Sequence, residues 1–188
     1  MTTSTTTISA TVFTDEVLAR AAELAQDAYQ PVWTGPSGEE ATGESVARHL
    51  EATIALLDKD GWIRNHHFFA PRTVSTQPPA IETMSTQAMV REVLLAVREE
   101  NSTPQRTLSV ALDHVMWGEE GDTDTREGAF TVLNLVIRAH TGHDQARATA
   151  WSERLHRTHA DVTALLAAGA RFARTYGPGA AVGTTRVV

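Results

Sequence analysis

The stretch that most constrains this chain is Thr158-His-Ala-Asp161-Val-Thr-Ala-Leu-Leu166, running on to Tyr176-Gly177-Pro178. Thr158 can accept from the N–H groups of a first helical turn. Asp161, three residues later, completes a T-x-x-D version of the capping box. Val162, Leu165, Leu166, Gly169, Phe172, Ala173 and Tyr176 then share one stripe at helical spacing, and Gly177-Pro178 stops the helix. Arg171 and Arg174 fall near its negative C-terminal end. The block in front, Trp151-Ser-Glu-Arg-Leu-His-Arg157, reads as a loop. A helix with one apolar stripe has to bury it against another element.

The rest of the chain supplies such elements. A first helix is predicted from the cap Thr14, with Asp15 and Glu16 in its first turn. It has a small-residue face of Val17, Ala21, Leu24, Ala25 and Ala28, and a stop at Pro31. The connector 31–38 is turn-rich and carries Trp33. A second helix, from about Gly43 to Lys59, turns Val46, Leu50, Ile54 and Leu57 inward. Asp60-Gly61 closes it, with Trp62-Ile63 folding back against it. Residues 62–80 are the least regular part, either a long loop or a short hairpin. A third helix spans about Ser85 to Glu99, with Met89, Val90, Val93, Leu94 and Val97 on its apolar side. Thr103-Pro104 reads as cap and first residue of a fourth helix, carrying Leu108, Ala111, Leu112, Val115 and Met116 and closed by Gly118. Asp124-Thr-Arg-Glu127 reads as a capping box for a fifth, which carries Ala129, Phe130, Leu133, Val136 and Ile137 to a stop near Gly142. A short helix from about Asp144 to Ala150 follows.

Helical periodicity recurs and no alternating strand pattern appears. The expected fold is an all-α, single-domain bundle of about five to six helices with short capped connections. Residues 13–178 form the domain, 1–12 a disordered Thr/Ser-rich tail and 179–188 a frayed C-terminal tail. At 188 residues the chain can bury a core without staples.

A net charge of -7 argues against non-specific binding to nucleic acid or to an anionic membrane. No helix presents the clustered Arg and Lys of a recognition helix. With no cysteine, disulfides, thiolate nucleophiles and Cys-based metal centres are excluded. The first residues lack a secretory pattern and no apolar run is long enough for a membrane span. The expected location is cytoplasmic.

Eight histidines stand out. His140–His143 and His156–His159 have i, i+3 spacing, which can place two imidazoles on one face. Each pair straddles a helix end, however, and there is no HExxH motif, so no metal and no cofactor are expected. His140 falls on the Leu133–Val136–Ile137 stripe. It reads either as a half-buried histidine whose proton is favoured by the helix C-terminus, or as a general acid or base at the rim of an interhelical pocket. His114 shares a second stripe with Thr107, Val110 and Trp117, as a polar residue partly covered by the Trp. Trp62, Trp117 and Trp151 sit at helix ends, which suits wedges between helices and equally the wall of a ligand pocket. Glu119–Asp124 lacks the Gly and Glu of a calcium loop and reads as solvated capping acids.

Two stretches carry a resemblance. Leu56-Leu57-Asp-Lys-Asp-Gly61-Trp62 is one; the other is Trp151-Ser-Glu153, then Arg157-Thr158, Asp161-Val162 and Leu165-Leu166. Together they resemble a family of small, helical actinobacterial proteins, a domain of unknown function, with a Trp-Asn-Asp, Arg-Thr, D-V-x-x-L-L pattern. The family has a Cys-bearing segment between these stretches where this chain has a different, longer middle. The resemblance implies fold class and origin, and no reaction. The same residues have a structural account: Thr158 caps, Asp161 supports the helix start, Arg157 bridges to Glu153 and Trp151 covers the core.

Two functional readings follow. The leading one is a helical protein-interaction or accessory protein, with a protein partner or a homodimer. The alternative is a small acid/base enzyme of specialised metabolism. It would use His114 or His140 with Glu153 or Asp161 around an interhelical pocket, and Trp117, Trp151 and Arg157 would hold a small molecule. A weaker third reading makes the histidine pairs a metal site.

Overall fold

The computed structural model describes residues 12–29, 31–64, 104–119 and 121–180. Six helices run through them: α1 (Asp15–Gln26), α2 (Gly43–Asp60), α3 (Leu108–Met116), α4 (Thr123–Thr141), α5 (Ala148–Ser152) and α6 (His159–Tyr176). Among the described residues there is no strand. Isolated bridges join Thr34 to Glu40 and Trp62 to Arg106. The expected all-α bundle is what forms. The predicted helix over 85–99 and both predicted tails, apart from Val12 and residues 179–180, lie outside the described residues.

Five of the six helices start where a side-chain oxygen accepts a first-turn N–H. The caps are Thr14 from Val17, Thr42 from Ser45, Thr107 from Val110, Asp122 from Thr125 and Thr158 from Asp161. Each such cap contributes about 1 kcal/mol. At Thr158 both halves of the capping box form.

Several boundaries differ from the sequence expectation, each for a visible reason. The expected cap Thr103 lies outside the described residues, and Pro104 does not open α3, because Arg106 is held in a bridge to Trp62. Ile63 N–H donates to the Arg106 carbonyl at 3.0 Å, Arg106 N–H donates to Gly61 at 3.0 Å, and Arg106 Nε reaches Asp60 at 2.8 Å. Thr107 therefore becomes the cap. Asp122 replaces Asp124 as the cap of α4, since Asp124 accepts from the backbone and hydroxyl of Ser37. The short helix is shifted to α5, its start pinned by Asn134 Oδ1, which accepts from Ala148 N–H at 2.9 Å. Trp151 is consequently helical, not part of a loop. In α1 the predicted stripe packs on the core through Ala21, fully buried, and Val17, Leu24 and Ala25, half-buried, with Leu18 and Ala22 widening the face; Ala28 is exposed beyond the helix end.

The most extensive pairing is α2 with α6, and α4 packs against both. Two glycines permit the approach. A Cβ on Gly43 would overlap the Ala173 carbonyl oxygen, and one on Gly169 would come within 2.8 Å of Leu133 Cδ2 and 3.1 Å of Leu50 Cδ1. Gly43 N–H also donates to the Pro178 carbonyl at 2.8 Å, tying the start of α2 to the end of α6. Arg174 joins the same two helices by forking onto Glu44 and Glu51. Its hydrogen bonds hold both carboxylates below their usual range. The α6 stripe is buried from Val162 through Leu165, Leu166, Phe172 and Ala173, but its predicted last member, Tyr176, is 42% exposed and only packs its ring on Phe172. His49 on α2 is wholly buried, beside Gly121 and the cap Asp122.

Candidate functional site: an apolar groove beside Trp117

The inner face of α3 is Leu108, Ala111, Leu112 and Val115, all buried. Of its other apolar residues Met116 is half-buried, while Val110 and the C-cap Trp117, at positions i and i+7, point outward together with His114 at i+4. Trp117 is the C-cap of α3 and is 83% exposed. It is neither a wedge between helices nor a cover for His114. Where α3 ends, the outer surface of α2 passes beside it, and between them lies a depression of about 450 Å³. Ala52, Ala55 and Leu56 of α2 line one part, and His114, Val115 and Trp117 line another. Lys59 and Glu119 also line it, one charge of each sign. Neither His114 nor Glu119 makes a side-chain hydrogen bond or ion pair among the described residues, so no acid–base couple is assembled there.

The other sequence candidates gather where α4, α5 and α6 meet. His140 of α4 packs on Phe13 with ring centroids 4.9 Å apart, and Phe13 packs on Trp151 of α5 at 5.9 Å. The Arg157 guanidinium lies over the Trp151 ring, 3.9 Å from its centroid, a cation–π contact in place of the expected bridge to Glu153. His140 is shifted below the ordinary histidine value, first by burial and then by the Arg157 charge. That corrects the expectation that the helix C-terminus favours its proton. Desolvation and a neighbouring cation both act against the proton. The indole Nε1 of Trp151 and the Nε of Arg157 are buried without a hydrogen-bond partner.

Asp161 is held by the cap: its Oδ2 accepts from the Thr158 N–H and hydroxyl, both at 2.9 Å. The backbone hydrogen bond leads in keeping its carboxyl below the usual range. Glu153 is exposed at the C-terminus of α5. The structure thus brings His140, Trp151 and Arg157 together, and His114 with Trp117. It unites neither histidine with Glu153 or Asp161 in an ion pair, the described histidine–carboxylate contact being His159 with Asp58 at 3.4 Å. Among the described residues no three His, Asp or Glu side chains could hold a metal ion.

Sequence reasoning missed Ala52, Ala55 and Leu56. The signal was there, a second stripe at i, i+3 and i+4 that continues to Lys59, but alanines carry little hydrophobic weight. It also missed Phe13 as a core residue. Phe13 and Leu18 occupy the N′ and N4 positions of a hydrophobic staple around the Thr14 cap, and both are buried.

A family model described as a family of unknown function (DUF6197) matches residues 41–172 of the chain. No curated protein and no solved structure matches it.

Proposed function

The chain belongs to DUF6197, a family of unknown function, and on that premise we propose that it is a binding module whose groove between α2 and α3 receives an apolar side chain of a protein partner. The observation that carries this reading is Trp117, 83% exposed at the mouth of an apolar-walled depression. An indole left in water beside alanine and leucine surface has a large area still to bury, and Trp is among the residue types that dominate interface energetics. Lys59 and Glu119 beside the apolar wall give an occupant a preferred orientation. All of the groove's lining residues lie within the span 41–172 that the family model matches. No helix among the described residues is long and apolar enough to cross a membrane, so the apolar surface is not part of a span.

The enzymatic alternative draws less support. His140 is half-buried and aromatic-packed, and burial and then the Arg157 charge lower its proton affinity. The carboxylate best placed in sequence to serve it, Asp161, already serves a helix cap.

A photo-cross-linking residue in place of Ala55, on the groove wall, tests the proposal in the protein's own host. The expected result is one dominant protein adduct that disappears when Trp117→Ala is added. Adducts indifferent to Trp117, or none, would count against the groove.

A further inference from the structure

We propose that the occupant of the groove is the turn 154–157 of a second copy of this chain, a reading that rests on the groove being a docking surface. The turn is built to be rigid. Arg157 N–H donates to the Arg154 carbonyl at 2.9 Å, closing it. Arg64 then grips both ends: its Nε donates to the Arg154 carbonyl and its Nη2 to the Arg157 carbonyl, each at 3.0 Å. The far end is fixed again by Arg157 lying on Trp151. What this scaffold presents is Leu155, 87% exposed at the second position of the turn. An apolar residue on a preformed turn loses little conformational freedom when it docks.

Charge complementarity selects the occupant. Glu153 and Arg154 immediately precede the leucine, and Lys59 and Glu119 line the groove. None of these four side chains has a hydrogen bond or ion pair within the described chain. Docking pairs Glu153 with Lys59 and Arg154 with Glu119 while Leu155 enters between Trp117 and Leu56. Knob and groove are different surfaces, so the contact is head-to-tail and extends into a ring or an open chain. A net charge of -7 per copy opposes it, which makes the association weak and concentration-dependent.

Sedimentation velocity of the full chain over rising concentration tests this, with Leu155→Asp and Trp117→Ala as variants. Both positions are exposed, and circular dichroism melts check that each variant folds. The wild type is expected to sediment faster as concentration rises, and each variant alone to stay monomeric. An equimolar mixture of the two should give a one-to-one dimer and nothing larger, because Leu155→Asp keeps an intact groove and Trp117→Ala an intact knob. A wild type monomeric throughout, or a variant that associates like the wild type, overturns the proposal. A monomeric wild type whose position-55 cross-linker captures a different protein through Trp117 overturns the self-occupant alone, leaving the groove in place. Loss of both signals removes both readings.

Discussion

Two tryptophans end apolar helix stripes in this protein and meet opposite fates. Trp151 is 2% exposed and Trp117 is 83% exposed. Neither difference lies in the helix itself. After Trp151 the chain makes the turn 154–157 and returns Arg157 across the ring, while Phe13 closes the ring from the other side. After Trp117 the chain turns away: Gly118 N–H donates to the Val115 carbonyl, and the path leads to the Asp122 cap of α4. A helix-end aromatic is buried by whatever segment crosses it, here Phe13 from before and Arg157 from after it in the chain. Where nothing crosses, the same residue is left as a surface for something else.

The comparison breaks most directly at Trp151. Trp151→Ala should cost about 3–5 kcal/mol of folding stability, read as a lower urea midpoint at unchanged slope; a cost near zero would mean the ring is not the keystone of the α4–α5–α6 junction. Thr158→Ala attacks the return path instead, by removing the cap that starts α6 just after Arg157. Its expected cost is about 1 kcal/mol, seen in the same titration. Trp117→Ala should be the quietest, within about 0.5 kcal/mol of the wild type, although the residue removed is of the same type as at 151.

A pH experiment sharpens the Trp151 side. Folded His140 binds its proton below the ordinary histidine value of 6.5, because of burial and then Arg157. Between 6.5 and that lower value the unfolded chain binds more protons, so stability falls as pH falls through the window and is fully present above it. His140→Gln should flatten this slope, measured by thermal melts across the window. Arg157→Met should raise the His140 value part of the way back, as followed by NMR titration of the imidazole, since burial would remain. The cap carboxylates act lower. Asp122 and Asp161 are both held below 3.8, so their contribution is present above that value and is lost as pH drops through their folded values.

How much of this was legible in the sequence depended on range. Caps and stripes are local, so α6, the inward face of α2 and the Gly61 terminator at φ 87° could be read from spacing alone. The two misplaced helix starts were made by distant partners. Asp124 was lost as a cap to Ser37, 87 positions away, and Pro104 failed as a helix start because Arg106 pairs with Gly61 and Ile63. Arg157 left Glu153 for the Trp151 ring. His49 sits in the core on the same stripe as Val46 and Leu50, and its polar identity hid it. Of the candidate site, Trp117 and His114 were identified on the correct stripe. The α2 wall that makes a groove of them needed the packing of two helices.

The groove is the central claim, and its most direct test uses the same pair of tryptophans. The protein can be labelled with 5-fluorotryptophan, giving one fluorine resonance for each of its four tryptophans, assigned by single Phe substitutions. Spectra would be recorded on the purified protein, dilute and concentrated, and then in extract of its own host. If Trp117 lines a docking surface, its resonance alone should shift and broaden as the occupant binds, with Trp151 unmoved. A Trp117 resonance that stays sharp and solvent-exposed under every condition would contradict the account.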